Sequence, residues 1–211
     1  MPQIIYTTTN PGKFSEVQKI FSLHGIAIKN LNDFGITQDV EETGETLEEN
    51  ASLKARAYAS LLPTGSIFIA DDTGVTIDAL GGEPGIKVRR WKGYKMSDEE
   101  IITHCLKRLE GVPRGSRGAQ FRTILAVTHD GSDIKLFEGV LSGEILENAL
   151  DFRREGMPFW PLFYIPELKM SLGEMHAQSN EFLANHPTHR EKAVFLALPY
   201  LKSLLNQNPQ A

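Results

Sequence analysis

Residues 66–74 have the sequence SIFIADDTG, in which a short apolar run enters a polar turn. A run of this length and composition is typical of a buried strand, so we predict a strand from Ser66 to Asp71. Residues 75–80 are compatible with a continuation of that strand. Two adjacent carboxylates, Asp71 and Asp72, therefore stand at the end of a strand whose other residues belong in the core.

The sequence on either side of this strand alternates between the spacing of helices and that of strands. Apolar residues at helical spacing predict helices over 14–21, 46–62, 97–109 and 188–206. An Asp-Gly turn between two apolar runs predicts a hairpin over 121–141. This mixture of strand–helix units and a hairpin predicts an α/β fold with a mixed sheet and flanking helices, in a single domain over residues 1–211.

The composition limits the class of protein. With 211 residues, 41% of them hydrophobic and 23% charged, the chain is large enough to bury a core of its own. A net charge of -5 disfavours a protein that coats nucleic acid nonspecifically. No apolar run is long enough for a membrane span, the N-terminus lacks the features of a secretory signal, and the single Cys105 cannot form an internal disulfide. We therefore expect a cytoplasmic protein without nucleic-acid or membrane partners.

Polar residues gather where the predicted strands end and the predicted helices begin. Residues 8–13 read TTNPGK after the first strand, and Lys13 and the free N–H groups of the following helix suit a phosphate. Farther along, Glu42 precedes a helix on which Asn50 and Lys54 are four residues apart and share one face, a set that suits a metal plus phosphate. Taken alone, each segment is better explained by the ordinary alternative, a capped turn for residues 8–13 and a solvated helix for Asn50 and Lys54.

The Asp71-Asp72 pair is the more specific signal. Mg²⁺ prefers hard oxygen ligands, commonly one or two carboxylates together with substrate phosphates. A carboxylate beside such an ion can also orient or deprotonate an attacking water. An Asp-rich turn that merely caps a strand is the alternative, and we favour a functional site because an apolar strand followed by Asp-Asp is rarer than a charged surface.

Two later segments carry arginines that suit phosphate oxygens. Arg90 follows a Gly- and Pro-rich loop, and a guanidinium can donate to a phosphate in two directions, although a surface ion pair is its commoner fate. His189 and Arg190 open the last predicted helix, where positive charge opposes the helix dipole. That placement favours a role toward a ligand, with a solvated helix cap as the alternative.

Taken together, these segments resemble the inosine triphosphate pyrophosphatase family over nearly the whole chain. Residues 8–16 are similar to its T-x-N-x-x-K-x-x-E opening, and residues 42–55 to its E-T-G-x-T-F-x-E-N-A-x-x-K-A segment. Residues 70–90 are similar to its A-D-D-S-G-L…L-G-G-x-P-G…A-R segment, residues 137–145 to its hairpin, and residues 188–190 to its Ser-His-Arg. Each piece is weak alone, and five in the family's order make the resemblance specific.

The resemblance implies an elongated mixed sheet with flanking helices, with two lobes around a central nucleotide-binding cleft, and a homodimer. It implies Mg²⁺-dependent hydrolysis of a nucleoside triphosphate to the monophosphate and pyrophosphate. The catalytic residues it implies are Lys13, Glu42, Lys54 and Asp72, with Glu42, Asp71 and Asp72 at the metal. The substrate-binding residues it implies are Thr8, Thr9, Asn10, Asn50, Thr73, Arg90, Met157, Phe159, Trp160, His189 and Arg190.

The loop that reads the base in this family departs from the family pattern. The pattern is G-F-G-[YW]-D-P, whereas residues 156–161 read GMPFWP. Met157 replaces a stacking Phe, Trp160 replaces an Asp, and Ala184 replaces a Lys. Because hydrogen bonds to a substrate group give much stronger discrimination than apolar contact, we expect a relaxed or shifted base preference.

Three hypotheses follow for the function. The first is a pyrophosphatase that removes aberrant purine nucleotides such as ITP, dITP and XTP. The second is a pyrophosphatase for a different nucleotide. The third is a nucleotide-binding or regulatory protein of the same fold with little or no turnover, which the retention of Lys13, Glu42, Lys54 and Asp72 disfavours.

Overall fold

The chain is described by a computed structural model over residues 2–37 and 40–206, and these residues form eight strands and six α-helices. The strands are β1 (Ile4–Tyr6), β2 (Ile28–Asn30), β3 (Ile67–Ile77), β4 (Pro84–Gly85), β5 (Gly118–Thr128), β6 (Ile134–Ile145), β7 (Phe163–Ile165) and β8 (Met170–Ser171). The helices are α1 (Pro11–Leu23), α2 (Leu47–Leu61), α3 (Asp98–Arg108), α4 (Leu172–His176), α5 (Asn180–Asn185) and α6 (His189–Asn206). The predicted α/β fold with a mixed sheet and flanking helices is confirmed.

The chain divides into two units, and the first comprises residues 1–73, 123–139 and 189–211. Its strands follow the order β2-β1-β3-β5-β6, and β1 pairs in parallel with both β2 and β3. Apolar residues of α1 and α6 pack with Ile67 and Ile69 of β3. Phe68 of β3 packs instead with Tyr58 of α2. The sheet of this unit is therefore covered by α1 and α6 on one face and by α2 on the other.

The alternation of side chains along β3 decides where the two aspartates lie. Successive residues of a strand point to opposite faces of the sheet. Since Ile67 and Ile69 face α1 and α6, Asp71 and Thr73 face those helices too, whereas Asp72 faces α2 with Phe68. The adjacent carboxylates of Asp71 and Asp72 therefore lie on opposite faces of the sheet and have different partners.

The prediction that the strand ends at Asp71 is wrong, because β3 continues through Ile77. Asp71, Asp72 and Thr73 lie inside an eleven-residue strand and not in a turn. Polar residues are tolerated inside this strand because side chains from neighbouring elements donate hydrogen bonds to them. The aspartates therefore do not need a turn at the surface to be solvated. Residues 75–77 do extend the strand, as their sequence allowed.

The second unit comprises residues 74–122 and 140–188. Within it, β4 pairs antiparallel with the end of β3, and β7 pairs antiparallel with β6 and β8. Its core is built from α3, β5, β6, β7 and the segment that precedes β7. No helix in the described ranges of either unit combines the length and the apolar character that a membrane span requires.

Gly139, on β6 of the first unit, marks a close approach of the strand to the first turn of α6. A Cβ atom added there would overlap the carbonyl oxygen of His189 and lie 2.7 Å from the backbone nitrogen of Ala193. We expect Gly139→Ala to destabilise the protein by about 1–3 kcal/mol, since the helix must shift to admit a methyl group. Urea unfolding measures this, with Gly115→Ala as the matched control because nothing lies within 4 Å of its added Cβ. Equal unfolding midpoints for the two variants would contradict the packing described.

Arg117 is a buried cation of the second unit that donates to three backbone carbonyls. Its guanidinium bonds the carbonyl oxygens of Val112 at 2.8 Å, Leu109 at 2.8 Å and Leu146 at 3.1 Å. We expect Arg117→Met to cost about 2–3 kcal/mol of unfolding free energy, because buried carbonyls lose their donors. The exposed Arg56 of α2 is the control, and Arg56→Met should change stability by less than about 0.5 kcal/mol. A loss for Arg117→Met no larger than that would show the three bonds to be unimportant.

Candidate active site

Asp71 is the centre of a hydrogen-bonded group on the face of the first unit that α1 and α6 cover. Its Oδ1 accepts from the Tyr6 hydroxyl at 2.6 Å, and its Oδ2 accepts from the Lys13 ammonium at 2.9 Å. Burial favours the neutral acid, but the positive charges of Lys13 and Arg190 outweigh it and hold the pKa of Asp71 well below its usual range. Asp71 therefore remains a carboxylate that holds the Lys13 ammonium in place.

The turn before α1 sets the position of Lys13. The Asn10 side chain caps the helix by accepting from the Lys13 backbone N–H at 3.1 Å, and Pro11 occupies the first helical position. The Thr8 hydroxyl accepts from the Asn10 backbone N–H at 3.2 Å. Thr8, Thr9 and Asn10 thus form the turn that leads into α1 and fixes the position of Lys13 in the first turn of that helix.

Arg190, in the first turn of α6, is buried among acceptors. It forms an ion pair with Glu16 of α1, and its Nε lies 3.3 Å from Oδ2 of Asp71. Its Nη2 donates to the Thr73 hydroxyl at 3.1 Å. The side chains of Arg190 and Glu16 are only 3% and 2% exposed. Arg190 therefore connects α6 to α1 through Glu16 and to β3 through Asp71 and Thr73.

A chain of hydroxyl groups continues from Thr73 to the start of α6. The Thr73 hydroxyl donates to Oδ2 of Asp71 at 3.2 Å and lies 2.8 Å from the hydroxyl of Thr123 on β5. The Thr123 hydroxyl in turn lies 2.6 Å from Nδ1 of His189. His189 is thus connected to Asp71 through two threonines.

Asp72 has its own partners on the face that α2 covers. Its Oδ2 accepts from the Asn50 side chain at 3.1 Å, and its Oδ1 accepts from the Thr73 backbone N–H at 2.9 Å. The Asn50 side-chain oxygen accepts from the Gly44 N–H at 2.8 Å, which links the segment before α2 to β3. Burial raises the pKa of Asp72, and the Lys54 ammonium only partly offsets this. Asp72 is accordingly a carboxylate with an increased affinity for a proton.

Lys54 of α2 lies between two carboxylates. Its ammonium forms an ion pair with Glu42, lies 3.9 Å from Oδ1 of Asp72 and donates to the backbone carbonyl of Asp71 at 3.2 Å. Burial alone would lower the pKa of Lys54, but Asp72 and Glu42 outweigh burial, so the pKa lies above its usual value. The carboxylates of Glu42 and Asp72 therefore both face the same positive charge, the Lys54 ammonium.

Comparison with known proteins shows which family the chain belongs to. The model of the Ham1 family matches residues 4–199 of the chain. The chain belongs to the Ham1 family. The resemblance predicted from the sequence motifs is thereby confirmed, and the Ham1 match covers every residue of the polar cluster described above.

Ham1-family relatives match over almost their full length. The chain is 35% identical over 208 residues to the dITP/XTP pyrophosphatase of Caldanaerobacter subterraneus subsp. tengcongensis, covering 99% of this chain and 100% of that protein. It is 36% identical over 195 residues to the dITP/XTP pyrophosphatase of Bacillus subtilis, covering 92% and 94% of the two chains. The structure of a HAM1 protein from Coxiella burnetii aligns with a TM-score of 0.77 at 30% identity, over 96% of this chain and 100% of that one. For the Ham1 protein of Staphylococcus aureus the TM-score is 0.73 at 33% identity, over 95% and 99%.

The structure brings most of the predicted site residues of this Ham1 protein together in the first unit. On the α1 and α6 face lie Lys13, Asp71, Thr73, His189 and Arg190. On the α2 face lie Glu42, Asn50, Lys54 and Asp72. Thr8, Thr9 and Asn10 form the turn that leads into α1. The roles assigned to these residues remain predictions, whereas their grouping on β3 and its neighbours is observed.

Four predicted substrate-binding residues belong to the second unit. Arg90 is exposed at the end of a short 3₁₀ turn. Trp160 is 5% exposed, and its ring stacks on that of His176 with centroids 3.9 Å apart. Met157 and Phe159 are buried in the same apolar core, where Phe159 packs edge-on against Phe121. Their contact with a nucleotide stays a prediction.

Three residues of the cluster, Tyr6, Glu16 and Thr123, have no predicted role. Glu16 carries a usable signal, because it follows Lys13 by about one helical turn and so shares its face of α1. Tyr6 and Thr123 carry none, since their proximity to Asp71 and His189 depends on how β1, β3 and β5 are ordered in the sheet.

Proposed function

We propose that this protein hydrolyses purine nucleoside triphosphates such as ITP, dITP and XTP to the nucleoside monophosphate and pyrophosphate, with Mg²⁺ as cofactor. Membership of the Ham1 family and relatives named dITP/XTP pyrophosphatases support the hydrolysis of a nucleoside triphosphate. The observation that carries the proposal is the grouping of Lys13, Glu42, Lys54 and Asp72 around β3 of the first unit.

The donor set around Lys54 fits a divalent cation. Glu42 and Asp72 both face a single ammonium, so their oxygens already share a site for positive charge. Carboxylate oxygens are the ligands that Mg²⁺ prefers, completed by phosphate oxygens and water. We assign the metal to Glu42 and Asp72. When bound there, Mg²⁺ supplies neutralisation of the negative charge on the phosphate oxygens.

Asp71 was also predicted at the metal, and its contacts favour a different task. Both of its oxygens accept hydrogen bonds, from Tyr6 on one side and from Lys13 and Thr73 on the other. We therefore propose that Asp71 positions Lys13. A carboxylate held by that many donors keeps the ammonium at one place, which limits the entropy lost when a phosphate binds.

The remaining steps are assigned to side chains of the cluster. Lys13 and Lys54 bind the triphosphate as two positive charges, which phosphoryl transfer needs more than a covalent nucleophile. Asp72 accepts a proton from the water that attacks the α-phosphorus, as a carboxylate held beside the triphosphate can do. The bond from the α-phosphorus to the bridging oxygen breaks, and pyrophosphate leaves.

The base preference is the part of the proposal that rests on the departures from the family pattern in residues 156–161. Trp160 and Met157 stand where the family pattern has a carboxylate and a stacking ring, and both are buried in an apolar core. An apolar contact discriminates between bases far less than a hydrogen bond to the base edge. We therefore propose a relaxed or shifted preference among purine bases.

Pyrophosphate release from ITP, dITP, XTP, GTP and ATP, with Mg²⁺ and again with a chelator, tests this function. We expect release from several of these nucleotides with Mg²⁺ and none with the chelator. A steep preference for ITP and XTP over GTP and ATP would contradict the relaxed specificity alone. Binding without release from any nucleotide would instead support a nucleotide-binding protein without turnover.

The homodimer implied by the family resemblance is also proposed. Light scattering coupled to size-exclusion chromatography is the direct measurement, with twice the chain mass of 23.5 kDa as the expected result. A mass equal to that of one chain would contradict it.

A further inference from the structure

The ammonium of Lys54 occupies the position between the two carboxylates that we assign to the metal. It forms an ion pair with Glu42 and lies 3.9 Å from Oδ1 of Asp72. A third contact, to the Asp71 carbonyl oxygen at 3.2 Å, holds it against β3. The Lys54 side chain is only 11% exposed, whereas that of Glu42 is 31% exposed. The chain thus supplies its own cation to the carboxylate pair.

We propose that Lys54 makes the binding of a divalent cation depend on the triphosphate. The ammonium competes for Glu42 and Asp72 when the cation arrives alone, and it turns to the phosphate oxygens when the triphosphate is bound. This inference rests on the proposed function and adds a regulatory property to the same site: metal and triphosphate bind with positive coupling.

The competition follows from charge and distance. A divalent cation that binds Glu42 and Asp72 comes within a few ångströms of the Lys54 ammonium, and like charges so close repel strongly where water is largely excluded. Lys54 must then stay beside the cation or leave two carboxylates that stabilise it. Either course weakens the binding of the cation alone.

A triphosphate removes this penalty in two ways. Its oxygens complete the ligand set of the cation, and they give the Lys54 ammonium a new anionic partner. The four-carbon stem of lysine lets the ammonium move by a few ångströms without movement of α2. Because coupling between two ligands is reciprocal, the cation must strengthen triphosphate binding by the same factor.

Lys13 offers a matched comparison within the cluster. Its ammonium pairs with Asp71 at 2.9 Å, on the opposite face of β3 from Asp72, and its charge acts on Asp72 less than that of Lys54 does. Removing its charge weakens phosphate binding as removal of the Lys54 charge does. It does not release Glu42 and Asp72 from an ammonium.

The test measures Mn²⁺ binding by the electron paramagnetic resonance signal of free Mn²⁺, with no nucleotide present. We expect Lys54→Met to bind Mn²⁺ at least about tenfold more tightly than the wild-type protein, and Lys13→Met to differ from wild type by less than about threefold. With an α,β-methylene analogue of dITP, corrected for Mn²⁺ held by the free analogue, wild-type affinity for Mn²⁺ should rise at least about tenfold. The same analogue should raise the affinity of Lys54→Met by a factor at least about threefold smaller than in wild type, because its phosphate oxygens still ligate the cation but no ammonium competes for the carboxylates.

Mn²⁺ affinity of Lys54→Met equal to or weaker than that of wild type overturns the inference. Lys54→Gln gives the same comparison if the Met variant does not fold. Wild-type hydrolysis of dITP with Mg²⁺ is measured in parallel. If wild type hydrolyses dITP but its affinity for Mn²⁺ does not rise with the analogue, the coupling role of Lys54 fails and the proposed function stands. If wild type shows neither hydrolysis of dITP nor a rise in affinity for Mn²⁺, the proposed function fails together with the coupling role.

Discussion

Asp72→Asn is expected to lower kcat by about 10²–10⁴-fold while leaving triphosphate binding measurable. The carboxamide keeps the size of the side chain but removes the proton acceptor and one of the two carboxylates beside Lys54. It also keeps only one of the two oxygens that accept from Asn50 and from the Thr73 N–H. Steady-state hydrolysis of dITP measures the first effect, and equilibrium binding of its α,β-methylene analogue measures the second.

The control for Asp72→Asn is Asp133→Asn, which removes an exposed carboxylate in the turn between β5 and β6. It changes the net charge by the same amount and should leave kcat unaltered. Thermal melts of both variants separate a loss of chemistry from a loss of folded protein. A folded Asp72→Asn variant with wild-type kcat would remove Asp72 from its assigned role.

Arg190→Met is expected to have the largest effect on stability, about 3–5 kcal/mol, because it leaves a buried carboxylate without its cation. Glu16 loses its ion-pair partner, and Asp71 and Thr73 each lose a donor. Urea unfolding of the variant measures the loss. The pair of the exposed Arg114 and the half-buried Glu144, 3.9 Å apart, is the control, and Arg114→Met should cost less than about 1 kcal/mol.

A double-mutant cycle separates the ion pair from the other contacts of Arg190. Glu16→Leu combined with Arg190→Met removes both buried charges, so the double variant should be more stable than the sum of the two single losses implies. The expected coupling is about 0.5–3 kcal/mol, as for contacting residues in other proteins. Losses that add to within about 0.5 kcal/mol would show that the pair contributes no specific interaction.

Local sequence signals predicted much of the fold. The helix predicted over 46–62 is α2 at Leu47–Leu61, with the Thr46 hydroxyl as its N-cap. The helix predicted over 97–109 is α3, and Ser97 and Glu100 form the expected capping box. These elements depend on periodicity and on a cap within four residues, and both can be seen in the sequence itself.

The end of β3 shows what local signals miss. Asp71 and Asp72 looked like a turn because charged residues seldom occur inside a buried strand. Partners far away in the sequence make the strand possible, with Tyr6 and Arg190 on one face and Asn50 on the other. Such contacts depend on strand order and on helix placement, which no local pattern reveals.

The candidate site was predicted to the extent that its residues lie in contiguous motifs. Glu42, Lys54 and Asp72 were grouped from the motifs, and the structure brings them within an ion-pair network. Thr123 was missed because it reaches His189 from a separate strand, 66 residues earlier in the chain. The division of Asp71 and Asp72 between two faces of the sheet required the register of β3.

Phosphorus NMR of the products formed from dITP is the most direct test of the claim that the cluster around β3 cleaves between the α- and β-phosphates. We expect deoxyinosine monophosphate and pyrophosphate in equal amounts with Mg²⁺, and unchanged dITP after addition of a chelator. Release of orthophosphate with a diphosphate product, or no cleavage of dITP, ITP or XTP at all, would contradict that claim.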